Sequence, residues 1–135
     1  MSYDIGPRLG IEGQAEFKRA IANINANLKT MGTEMKAVTS AYEKNDHSAE
    51  NLTAQNQVLN KQIDEQKNKL NELKDMLDKS ASAYGENDKQ TQKLQQDYNL
   101  ATAALNKMER ELKNNEATIK DYSKAQIQAA KDSEE

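Results

Sequence analysis

The chain is 135 residues long, carries a formal net charge of -3, and is 30% charged but only 4% aromatic, with one Phe, one Pro and no Trp. A mean hydropathy of -1.03 argues against a thick globular core. No basic block exists to neutralise phosphates, so nucleic acid is not an expected partner, and no apolar run reaches the roughly 20 residues of a membrane span. Cysteine is absent, which excludes disulfides and thiolate chemistry.

Residues 1–13 differ from everything that follows. Ile5, Leu9 and Ile11 alternate with Pro7, Arg8, Gly10 and Glu12, and three of the five glycines fall here (Gly6, Gly10, Gly13). The pattern predicts a short extended arm: an edge strand, since Pro7 lacks a donor, or a frayed terminus. It lacks the uninterrupted apolar core of a signal peptide.

Helix is predicted from about 14 to 44, interrupted by Gly32. Asn45-Asp46-His47-Ser48 breaks it, and Asp46 or Ser48 offers a side-chain oxygen to cap a second helix over about 48–84. A stronger break follows at Gly85-Glu86-Asn87-Asp88. Gly85 suits the left-handed position just past a helix end, and Asp88 suits the cap of a third helix over about 88–131. Residues 132–135 read as a frayed tail.

One apolar stripe runs through all three helices. Steps of four and three residues from Phe17 meet Ile21, Ile24, Leu28, Met31, Met35 and Val38, then Leu52, Leu59, Ile63, Leu70, Leu73 and Leu77. The same steps then reach Leu94, Leu105, Met108, Leu112 and Ile119, and run on through Tyr122 to Ala129. Of the 33 positions on this path, 25 are apolar, Tyr or Ala, which is too sustained for a disordered chain. A period of 3.5 puts these side chains on one helical edge that must face another helix. Outside the stripe and after residue 14, the larger aliphatic residues are Val58, Met76, Leu100 and Ile127. A seam two positions wide per heptad suits a coiled coil. Asn56, Gln66, Ser80 and Asn115 also lie on it; they either fix register and partner number or are tolerated by a marginal coil.

The chain repeats itself at an offset of 42 residues. Ala41-Tyr42-Glu43-Lys44-Asn45-Asp46 answers Ala83-Tyr84-Gly85-Glu86-Asn87-Asp88, Leu52 answers Leu94, and Leu70 answers Leu112. Six heptads make 42, so the seam keeps phase across both breaks. Two all-α architectures follow. In one the breaks are turns and the helices fold back as antiparallel hairpins. In the other a continuous rod associates with copies of itself. Turn chemistry favours the hairpins.

Few catalytic constellations can be drawn. His47 is the only histidine, and beside Asp46 and Ser48 in a polar break it reads as a solvated turn residue rather than a general base. Zinc would need ligands the chain lacks. Glu43 with Asp46, or Glu86 with Asp88, lacks the spacing of a calcium loop, and Gly10 with Gly13 is no phosphate loop. The methionines read as seam filler. No catalytic, cofactor or metal site is expected, and the chain is not expected to be an enzyme.

Several stretches in series resemble the N-terminal region of phage tail tape-measure proteins of Gram-positive hosts. They are Leu9-Gly-Ile-Glu-Gly-Gln-Ala-Glu-Phe-Lys-Arg-Ala-Ile21, Asn25-Ala-Asn-Leu-Lys-Thr-Met31, Glu34-Met-Lys-Ala-Val-Thr-Ser-Ala-Tyr42, Leu59-Asn-Lys-Gln-Ile63, Tyr84-Gly-Glu-Asn-Asp88 and Leu105-Asn-Lys-Met-Glu-Arg-Glu-Leu112. The resemblance covers roughly residues 5–115. It implies a structural role: a helical ruler or scaffold in the tail-tube lumen, made in the bacterial cytoplasm, whose length sets how far the tube grows. It implies tail-tube or tail-assembly proteins, and other copies of the chain, as partners. The residues by themselves also fit a helical adaptor or chaperone-like module that binds other helices through its seam.

Overall fold

The computed structural model describes residues 11–43 and 46–133. Three α-helices account for most of them: α1 (Gln14–Ser40), α2 (Ala49–Tyr84) and α3 (Lys89–Ser133). The fold is all-α and its helices pack as antiparallel hairpins. α2 is the middle element, in contact with α1 on one side and, more extensively, α3 on the other, while α1 and α3 scarcely approach each other.

The helix ends follow from local chemistry. The Asp46 carboxylate accepts from Ser48 N at 2.8 Å, Ser48 Oγ accepts from Asn51 N at 3.2 Å, and Asn51 Nδ2 donates to the Asp46 carbonyl. These bonds satisfy donors that the first turn of α2 would otherwise leave unpaired. α1 closes at Ser40, short of the end at 44 that helical propensity predicts, and the chain tightens there through bonds from Ala41 N to Val38 O and from Tyr42 N to Thr39 O. Asp88 does the same for α3, accepting from Gln90 N at 2.9 Å and Thr91 N at 3.3 Å. Gly85 ends α2 with φ 90° and ψ 164°, not the left-handed helical conformation that a glycine after a helix suggests. Its N–H still closes the last turn on Ala81 O at 2.8 Å.

The extended arm predicted over 1–13 lies mostly outside the described residues. Its last part belongs to the bundle instead. Ile11 is buried among Leu73, Met76, Leu77, Leu94 and Ala101, with Phe17, Ile21, Leu70, Tyr84 and Tyr98 packed around them. Gly13 then turns into α1 at φ 80°, a value that favours glycine. At the other end α3 stays helical to Ser133, beyond the predicted limit at 131.

A two-per-heptad seam does not describe α2. Val58 and Met76, off the seam, are only 5% and 2% exposed, whereas Leu100 and Ile127 on α3 are 70% and 57% exposed. The difference follows from position. A helix covered on two sides buries a broader stripe than one with a single neighbour. Asn51, Val58 and Met76 each precede a seam residue by one position and form that second edge.

Candidate functional site

The surface with the most chemistry is the seam itself. Ile24, Leu52, Leu59, Ile63, Leu73, Leu77 and Leu94 are buried on it. Phe17, Ile21, Leu28, Met31, Met35, Val38, Leu70, Leu105, Met108, Leu112 and Ile119 are half-buried. Past Ile119 the path leaves its cover, and Tyr122, Gln126 and Ala129 are exposed. Contact with a partner helix thus stops where α2 begins.

Asn56, Gln66, Ser80 and Asn115 all bond across the α2–α3 hairpin, at three levels. Near the turn, the hydroxyls of Ser80 and Thr91 share a hydrogen bond of 2.7 Å, fully out of water. Midway, the buried Gln66 donates through Nε2 to the Ala101 carbonyl at 2.9 Å. Toward the far end, Asn115 Nδ2 donates to Asn56 Oδ1 at 3.0 Å. Sliding α3 by one helical turn would leave Ser80, Thr91 and Gln66 buried without partners, a cost of about 1–3 kcal/mol per group, and would unpair the half-buried Asn56 and Asn115. The ladder therefore fixes register, which apolar side chains alone would leave loose.

The α1–α2 side is built differently. Its polar ties are exposed: Asn27 Nδ2 to Glu65 Oε2 at 2.6 Å and Lys61 Nζ to Glu34 Oε2 at 3.3 Å between the helices, and Tyr42 Oη, just past α1, to Glu50 Oε1 at 3.4 Å. Exposed pairs of this kind contribute roughly 0–1 kcal/mol each. Ile24 is the one residue of α1 that is buried. Because α1 and α3 stand apart, an open groove runs between them, lined by Phe17, Ile21, Leu73, Leu100 and Ala104 with Asn25, Lys69 and Asp97 at its rim.

Lys79 pairs with Asp75 at 3.1 Å one turn away on α2, while Glu65 accepts from Asn27 and Asn68. His47 is exposed in the α1–α2 turn, in a polar hollow with Lys36, Tyr42, Asp46 and Asn51. Among the described residues no group of three His, Cys, Asp or Glu side chains could hold a metal ion. No described helix is long and apolar enough to cross a membrane.

Two groups of this turn have shifted acidities. The Asp46 carboxyl lies below the ordinary carboxylate value, first because the Ser48 backbone N–H donates to it and then through the Ser48 side chain. The Tyr42 phenol lies above its ordinary value, through partial removal from water and then the Glu50 charge. A lowered carboxyl contributes stability that is complete above the unfolded value of about 4 and is lost as pH falls through the folded one. Asp46→Ala is thus expected to lower the urea midpoint most above pH 5, with the gap to the native chain narrowing as pH falls below the ordinary carboxylate value of about 4. A gap independent of pH would show that the carboxylate charge plays no part in holding the turn.

No family model, curated protein or solved structure matches the chain.

Proposed function

We propose that this chain is a structural element of phage tail assembly, akin to the N-terminal part of a tape-measure protein, working as a helical ruler or scaffold within the tail tube. Its partners would be tail-tube or tail-assembly proteins and other copies of itself. One observation carries the reading. The 42-residue sequence repeat is also the structural repeat: Tyr42 and Tyr84 both sit where a helix gives way to a turn, so residues 47–88 form one helix-plus-turn unit. A protein whose task is length is expected to be built from such units, and the ordered series of resembling stretches between residues 5 and 115 supports the same reading.

Removing residues 47–88 from the protein as it is encoded in its phage or prophage, without disturbing heptad phase, tests it. Threaded through the tube as one extended helix, with its hairpins opened, a ruler reads length at 1.5 Å per residue, so tails should shorten by about 63 Å in electron micrographs. Tails of unchanged length would overturn the proposal.

The open groove between α1 and α3 favours a second reading, a helical adaptor that seats an amphipathic helix against Phe17, Ile21 and Leu100. Under it the deletion would leave tail length untouched.

A further inference from the structure

The α1–α2 hairpin has four features that together point to exchange of α1 between molecules. The first is its pairing. Asn27 meets Glu65 and Tyr42 meets Glu50, so the paired positions converge on a point near residue 46. The second is how lightly α1 is held, with one buried residue and exposed polar ties, whereas all three bonds of the polar ladder belong to α2 and α3.

The third is the turn itself. Residues 41–48 include neither glycine nor proline, so every one of them can enter a helix, while the other turn depends on Gly85 at φ 90°. The fourth is phase. The seam steps from Val38 through Tyr42, Asn45 and Ala49 to Leu52 without slipping. The count is also kept across the Gly85 turn, so it does not by itself select a straight helix, but it permits one. A helix that runs straight through the segment needs it, since one residue too many would rotate α1 off the edge it shares with α2.

We infer that the connection between α1 and α2 can become helical, joining them into one helix of about 105 Å, and that α1 of each of two copies then docks on α2 of the other. The occupant of the α1 groove in this dimer is α1 of the second copy. Every pairing of the closed chain recurs between chains, about a two-fold axis near residue 46, so no new interface has to be made. The straightened turn gives up the Asp46 and Ser48 caps and gains helical backbone bonds. The balance between the two forms then depends on protein concentration. This exchange does not depend on the tail role proposed above.

The test replaces Asp46, His47 and Ser48 together by alanine, which removes the caps, favours helix and preserves the residue count. Light scattering on this variant is expected to give twice the 15.2 kDa of the single chain. The chain has no cysteine, so Asn27→Cys in one preparation and Glu65→Cys in another can be mixed, equilibrated and joined with a short bismaleimide. Heterodimeric cross-links are expected, and one extra alanine after position 48 of the triple variant should abolish the dimer by breaking phase. A triple variant that keeps its helicity but stays monomeric overturns the proposal. So does a dimer that fails to cross-link 27 to 65, or one indifferent to the inserted residue. If the triple variant loses its helicity, the same mixing on the otherwise native chain decides: cross-linked heterodimers that increase with concentration support exchange, and their absence rules it out.

Discussion

Leu59→Ala is expected to destabilise the protein by about 3 kcal/mol, the middle of the range for removing a fully enclosed leucine side chain. Leu59 is 2% exposed and lies on α2, the helix covered from both sides. By the register of the Asn56–Asn115 bond it sits level with Leu112 of α3. Truncation removes the favourable transfer of the side chain from water and leaves a void that two straight helices cannot readily collapse to fill. Urea denaturation followed by far-UV circular dichroism reads the loss as a lower midpoint at constant slope. Leu100→Ala serves as the comparison: at 70% exposure it should change stability by less than about 0.5 kcal/mol. A loss at Leu59 no larger than that at Leu100 would mean that α2 is not clamped as described.

Gly85→Ala carries the second large effect, about 1–3 kcal/mol, and for a different reason. A Cβ at this position meets nothing within 4 Å, so crowding plays no part. The penalty comes from the backbone, because φ 90° with ψ 164° is a region that side-chain-bearing residues hardly enter. The same substitution at Gly32, inside α1 and also with nothing within 4 Å, should instead stabilise by about 0.5–1 kcal/mol. Opposite signs for one chemical change, measured by the same urea titration, would isolate conformation as the cause. Destabilisation at both positions would refute it.

Much of this architecture is legible in the sequence because it rests on local signals. Heptad steps mark the buried edge, and Asn45-Asp46-His47-Ser48 and Gly85-Glu86-Asn87-Asp88 mark the turns. The identity of the middle helix is harder to read, since all three helices follow one template. The signal lies in Val58 and Met76, which look like strays beside a narrow seam until α2 is seen to be covered twice. The end of α1 is misjudged by propensity because Ala41-Tyr42-Glu43-Lys44 contains no helix breaker. The network among Asp46, Ser48 and Asn51 starts α2 and is read from the capping residues, but nothing in the sequence marks Ser40 as the end of α1. The polar seam residues are visible in the sequence, but their partners are not. Asn56 and Asn115 lie 59 residues apart, and only the folded register joins them.

The far reach of α3 has its own consequence. From Lys120 to Ser133 no side chain is even half-buried, so this stretch is held only by bonds within the helix itself. A helix segment this short is marginal without tertiary support. Amide protons there should exchange with solvent through local fraying, while those around Leu94 wait for the whole bundle to open. One uninterrupted helix thus runs from the most protected part of the molecule to the least, and trypsin acting at Lys124 could shorten it without disturbing the rest.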